Sequence, residues 1–515
     1  MGTTPVIKPA ASARVDVADV QGLVRFGYAK LTEARYLLLQ VRDAAAARKW
    51  CGDVNVGTAE YQATAPKTAL HIAFSAPGLR ELGVSAEVIT GFSAEFQSGL
   101  ARDPSRSRRL GDTGGNAPAS WDWGSPDTEP HVLVMLFAQA GRLAEYSAQV
   151  QNEEFRATFT VIHDLETSNL DGYEPFGFQD GISQPQLDWE RKHDPSGDKV
   201  TYSNVVALGE FVLGYPNEYG KYTERPLLDA SAPGTGVLPF AEDQPEKRDL
   251  GRNGTYLVIR QLEQDVRGFW QWVERAAKEN GIDRDTLAAA MVGRTTEGQP
   301  LVGLSKEAIP GVDDKPNEAP NRFTFDSDPE GVRCPFGSHI RRANPRNVDL
   351  PGRPGWLLPR LLRMLSLTRR IFREDITATT RFHRVLRRGR EYGPALTVEQ
   401  ALRPSAGDDS RRGIHFICIN ANILRQFEFV QNAWMMGTKF DGLSEESDPL
   451  LGNRAAVGSC PYTGNFSLPR EGAPPREIGG LPEFITVRGG GYFFLPGLRA
   501  LQYISGSTTS SRKGI

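Results

Sequence analysis

The chain is 515 residues long, 39% hydrophobic and 24% charged, with a formal net charge of -3. That length leaves room for two or more domains with their own cores, and the composition excludes extended disorder. A charge so near zero excludes a global field that would gather nucleic acid or a membrane surface, so neither partner is expected.

Residues 1–15 read as a flexible N-terminus with no continuous apolar run and no twin arginine, so no export signal is expected. Val6 stands where a myristoylation signal needs Ser or Thr. The best apolar run, 131–138, is strand length, well short of the ~18–20 residues of a membrane helix. Cys51, Cys334, Cys418 and Cys460 lie far apart with no CxxC spacing, which suits reduced thiols better than a disulfide framework or a zinc site. The expectation is a soluble cytoplasmic protein.

In chain order, segments 34–43, 68–76, 131–139 and 155–164 are short, β-branched or aromatic and bounded by turns, which predicts strands. Between them, 77–84 and 141–154 predict helices, the second from the spacing of Leu143, Tyr146 and Val150. Residues 101–130, rich in Gly, Pro, Ser and Asp, form a connection long enough to suggest a function or a surface excursion. The second half predicts a strand at 209–216 and a strand at 254–265 running into a helix at 266–280. A strand at 413–422 followed by a helix, and a closing segment at 491–504, complete it. Two α+β modules are expected, one over 16–175 and one over 176–505, with 506–515 a flexible tail.

Only seven histidines are present. His71, His131, His163 and His415 fall in strand-like runs, His193 in a polar loop expected to be solvated, and His383 in an arginine-rich segment. There is no HExxH, so a zinc hydrolase finds no support. His339 differs in its setting, VRCPFGSHIRRANPRN (332–347), with Arg333, Arg341, Arg342 and Arg346 around it. A lone imidazole among guanidinium groups suits a metal ligand whose cofactor carries carboxylates, as haem does, although basic loops also bind phosphates and other substrates. The stretch from Arg360 to Arg390 carries ten arginines; they read as a solvated basic face, an anion-binding surface, or a source of one inward cation facing developing negative charge. The stretch EPFGFQDGISQP (174–185) places Asp180 between Gly177 and Gly181. Asp-Gly is a common turn, and a functional reading needs a partner elsewhere in the chain.

Together PFGFQDGISQP, PFGSHIRRANPR and LRRGREYGP resemble the dye-decolorising (DyP-type) haem peroxidases, whose signature is a GxxDG loop followed by a proximal histidine. WDWG (121–124), GEFVLGYPNEYG, NANILRQFEFVQNAWM, KFDGLSEESDPLLG and YFFLPGLRAL resemble segments of the longer, advanced subgroup in the same order. The likeness covers nearly the whole chain. It implies an α+β protein of two ferredoxin-like domains, antiparallel sheets flanked by helices, with one haem b held mainly by the C-terminal domain. It also implies a hydrogen-peroxide-dependent peroxidase that oxidises bulky dyes and aromatic or phenolic one-electron donors.

By the same resemblance His339 is the axial iron ligand, and Asp448 accepts from its other ring nitrogen. Arg346 meets a haem propionate, with Arg341 and Arg342 beside it or facing solvent. Asp180 is the distal group that moves a proton between the two peroxide oxygens, and it stays a base at acidic pH because Asp starts near ~3.9. Arg387, or its neighbour Arg388, is the distal cation. Gly181, Ile182 and Ser183 extend the distal loop along the cofactor, its glycines letting the backbone come close. Ile414 and Phe416 narrow the pocket or are plain strand core. Glu391 stands where relatives often have proline. A haem-handling protein that carries haem or releases its iron is the rival reading; an intact Asp180 and Arg387 favour the peroxidase, because carriage needs neither. A basic segment 360–390 that binds anionic polymer or membrane is a third reading, and a homo-oligomer is compatible with the sequence.

Overall fold

The computed structural model describes residues 14–194, 202–306, 308–312, 316–346, 380–405, 407–408, 410–454 and 463–506. The N-terminal segment before 14, the arginines between 360 and 379, Cys460 and the tail from 507 lie outside the described residues. Among the described residues, nine strands form one sheet. They are β1 (Glu33–Val41), β2 (Thr68–Phe74), β3 (Val132–Ala138), β4 (Phe159–Glu166), β5 (Thr255–Gln264), β6 (Leu386–Arg387), β7 (Arg390–Tyr392), β8 (Gly413–Asn420) and β9 (Ile485–Leu495).

The sheet order is β6-β8-β5-β9-β2-β3-β1-β4, with β7 also paired to β8. It divides into two antiparallel halves, β2-β3-β1-β4 from the first part of the chain and β6/β7-β8-β5-β9 from the second. These touch through one register pair, Phe494 with Phe74. Each half has helices against it, the two-domain ferredoxin-like arrangement expected for the α+β class. Strands such as β3, buried along its whole length, read as continuous apolar runs because both faces are covered.

In the second half the register fixes which side chains share a face. Glu391 pairs with Ile414, Ile414 with Leu262, and Leu262 with Val487, making one row across β7, β8, β5 and β9. His415 points the other way, buried and stacked on Tyr392 at 4.5 Å. A helix, α1 (Val266–Asn280), follows β5 directly. Asp265 caps it by accepting from Gly268 N at 2.8 Å, and Gly281 ends it in the left-handed conformation. Phe269, Trp270, Val273, Ala276 and Ala277 form its buried stripe.

Three expectations need correction. Residues 209–216 are not a strand but a 3₁₀ turn, Leu208–Glu210, folded back on itself, with Gly209 N donating to Pro216 O. Glu210 is buried and paired with Arg425 at 2.8 Å, so the apolar run packs as a turn around a buried ion pair. Residues 155–158 belong to a helix, Glu153–Thr158, because Asn152 caps it through Phe155 N at 2.9 Å; the strand begins only at Phe159. The connection 101–130 is no surface excursion: it contains a helix, Pro104–Leu110, capped by Asp103, and buries Trp121 and Trp123. No helix among the described residues is long and apolar enough to cross a membrane.

Candidate active site

Glu174 to Asp180 form a tight loop closed by its own backbone: Glu174 N donates to Phe178 O and Asp180 N to Gly172 O, each at 2.9 Å. Gly177 and Gly181 take φ of 96° and 75°, a region that strains any residue with a Cβ. Among the described residues beyond the adjacent ones, no atom lies within 4 Å of where a Cβ would stand on either, so the loop needs these glycines for their dihedrals. Trp270 on α1 donates from its ring nitrogen to Phe176 O at 2.9 Å, and the Phe178 ring stacks on Trp270.

Asp180 Oδ1 accepts from Arg387 Nη1 at 3.0 Å. Arg387 is itself held by Gln184 Oε1 on its backbone N–H, at 2.9 Å, and donates to Ser183 O at 3.3 Å. Both side chains keep 35% of their surface accessible, and both line one cavity of about 440 Å³, within the ~300–1,000 Å³ typical of cofactor and ligand pockets. Burial works to raise the Asp180 pKa, but the Arg387 guanidinium and the Gly181 N–H outweigh it and hold the carboxyl below its ordinary value.

His339 lines the same cavity, at the start of a short helix, His339–Ala343. Its Nδ1 meets Asp448 Oδ2 at 3.0 Å, which directs Nε2 away from that carboxylate. Asp448 is fully buried, and its other oxygen accepts from Leu450 N and Leu451 N at 2.9 and 2.8 Å. Burial disfavours charge on both partners, yet each stabilises the other's ion, so His339 sits above and Asp448 below its usual value.

A third part of the wall is cationic. Arg294, Arg346 and Arg384 are buried and line the cavity beside Asn344. Arg346 donates to the carbonyls of Asn321 and Phe323 at 3.0 and 2.7 Å, and Arg384 Nε has no hydrogen-bond partner among the described residues. Burial, then the charges of Arg346 and Arg387, push Arg294 down to about 9. A cluster that discourages its own protonation is short of counter-anions.

The chain matches no family model. It is 30% identical over 453 residues to the multifunctional dye peroxidase DyP2 of Amycolatopsis sp., covering 84% of this chain and 81% of that protein. The chain belongs to the dye-decolorising peroxidase family. It is also 27% identical over 525 residues to the dye-decolorizing peroxidase msp1 of Mycetinis scorodonius, covering 96% and 88% of the two chains. In fold it is similar to a fungal DyP-type peroxidase of Auricularia auricula-judae, with a TM-score of 0.71, 23% identity and coverage of 96% and 100%. A DyP-type peroxidase of Anabaena sp. matches with a TM-score of 0.66, 22% identity and coverage of 95% and 94%.

Proteins of this family use haem, and the cavity fits one. It offers the His339 imidazole, with one ring nitrogen turned from its acceptor, and an arginine cluster suited to two propionates. The cavity brings together Asp180, Gly181, Ile182, Ser183, His339 and Arg346. Arg387, Ile414 and Phe416 share it. Asp448 reaches it only through His339.

Other residues stand elsewhere than expected. Arg341 and Arg342 neither line the cavity nor face solvent: both are fully buried, Arg341 on Asp328 and Cys334 O, Arg342 on the carbonyls of Trp434, Gly437 and Glu446. Arg388 donates to Leu23 O and Val24 O at 2.8 and 3.0 Å, away from Asp180. His193 is no solvated loop residue but half-buried, with its Nε2 3.1 Å from a carboxylate oxygen of buried Glu218. Sequence reasoning missed Arg294, Arg384 and His383 on the cavity wall. His383 stacks on Phe429 with ring centres 3.5 Å apart. Nothing in its sequence setting separates it from a surface histidine.

Proposed function

We propose that the cavity between Asp180 and His339 is the active site of a haem peroxidase that reduces hydrogen peroxide and oxidises dyes and other bulky aromatic or phenolic donors. The observation that carries the reading is a pair of carboxylates with different tasks at one cavity: Asp180 on its wall, paired with Arg387, and Asp448 behind the wall, paired with His339. His339 Nε2 would bind the iron, Arg294, Arg346 and Arg384 would receive the propionates, and the residue set suits one haem b per chain. Haem supplies the metal centre at which the O–O bond breaks and from which donors are oxidised.

The chain's own residues do the rest. Asp180, ionised, takes the proton from one peroxide oxygen and returns it to the other, so that the leaving oxygen departs as water. Arg387 holds that carboxylate in place and sets a fixed positive charge beside the breaking bond. Asp448 orients the His339 ring and makes its nitrogen a stronger donor. Ile414 and Phe416, facing the cavity from β8, narrow it and exclude bulky donors from the peroxide site. Carriage of haem would use the His339 wall but has no task for Asp180 or Arg387.

The test is rapid mixing of haem-loaded protein with hydrogen peroxide, followed at the Soret band, for wild type and Asp180→Asn. General acid–base catalysis is worth ~10²–10⁴-fold, so the variant is expected to react slower by that order. Equal rates would remove Asp180 from the chemistry. A fully loaded wild type that does not react would favour haem handling.

A further inference from the structure

Glu174 opens the loop that ends at Asp180 and lines the same cavity. Its Oε2 accepts from Phe176 N at 3.0 Å and from Gln264 Nε2 at 2.8 Å; its Oε1 accepts from Phe178 N at 3.0 Å. None of these partners is a cation. Burial pushes its pKa up to about 7, with the Asp180 charge adding to the effect. A half-buried carboxylate with no hydrogen-bonded cation is a costly way to close a turn, since a neutral side chain satisfies a turn N–H as well.

The sheet explains the expense. Gln264 ends β5, and β5 pairs with β8, which pairs with β6 at Arg387. Arg387 is therefore located by the sheet itself. Asp180 is not on the sheet. Past it the chain is tied to Arg387 through Gln184 and Ser183, but before it the other fastenings lead elsewhere: Gln179 N to Thr296 O at 2.9 Å, and Phe176 O to Trp270 on α1. The contact from Glu174 to Gln264 refers the loop to the same strands that carry Arg387. Only a forked acceptor reaches two loop N–H groups and the strand at once.

We propose that Glu174, tied to Gln264, is the positioning residue that sets Asp180 against Arg387 for the reaction with peroxide. The proposal rests on the reading of Asp180 as the acid–base group. Gln264 Oε1 has no hydrogen-bond partner among the described residues. An amide at position 174 therefore keeps the strand tie and the Phe178 contact, donating to Gln264 Oε1 through its nitrogen and accepting from Phe178 N through its oxygen, and gives up only the acceptor for Phe176 N.

The test uses haem-loaded wild type, Glu174→Ala, Glu174→Gln and Gln264→Leu, with the peroxide rate from rapid mixing and amide hydrogen exchange of Phe176 and Phe178 in the haem-free chain. A displacement of about 1 Å costs on the order of 10²-fold in rate, so E174A is expected to lose ~10–100-fold at full haem loading, together with protection of both amides. E174Q is expected to stay within about threefold of wild type, because the tie survives without the charge. Q264L leaves the loop N–H groups satisfied and is expected to lose about tenfold, which decides the matter if E174A does not load haem. Wild-type rates in E174A or Q264L overturn the proposal, as does E174Q reacting as slowly as E174A. Unchanged protection of both amides in E174A overturns it whatever the rates. Wild-type reactivity in D180N overturns the reading of Asp180 instead.

Discussion

Asp180 and Glu174 share one loop and are driven in opposite directions, Asp180 below its ordinary value despite burial and Glu174 up to about 7 by it. Such divergence separates a group kept ionised for chemistry from one kept for its hydrogen bonds. For Asp180 the sign is plain: a depressed pKa keeps the base form as pH falls. The rate of reaction with peroxide is expected to hold through the ordinary carboxylate range and to drop only below it, which a rapid-mixing pH series checks. Behind His339, Asp448→Asn is expected to weaken haem retention by ~10–100-fold, measured by transfer to a haem-scavenging apoglobin, since partners of metal ligands carry effects of that size. These residues were legible because each sits in a short, distinctive run. Arg294 and Arg384 were not, because a cation that joins a cluster only through folding leaves no local mark.

At the scale of elements, α1 links the helical layer to the distal loop through Trp270 and Phe176 O. Removing its N-cap with Asp265→Ala is expected to cost about 1 kcal/mol, read from the denaturation midpoint. The sequence showed this helix clearly, because an aspartate cap, an amphipathic stripe and a terminal glycine all agree. It misled at 209–216, where β-branched and aromatic residues suggest a strand. There the deciding contacts, Glu210 with Arg425, span a separation that no local pattern reveals. The same holds for the start of β4, where the cap at Asn152 overrides a strand-like composition.

For the whole molecule, acid stability turns on buried carboxylates such as Glu218, which His193, Arg381 and the Ala207 N–H hold at about 2 against the pull of burial. Its folded-state pKa is depressed, so its contribution is present above the unfolded glutamate range and is lost as pH falls from there towards 2. Urea titrations between pH 6 and 3 are expected to show a loss on the order of a few kcal/mol that Glu218→Gln lacks. The two-module plan was legible from the alternation of strands and helices, but the joining of the halves was not, since strand order is set by long-range pairing.

That joining dictates an order of events during synthesis. β9 lies between β5 and β2, in the middle of the sheet, yet it is among the last segments of the described chain to be made. The four strands of the first half are complete long before, and can fold while the ribosome is still working. β5 and β8 must wait with an open edge, and the cavity wall at Ile485 is missing until β9 arrives. The cavity is therefore complete only after residue 485 has emerged, and a nascent chain stalled before it exposes two unpaired sheet edges to its neighbours.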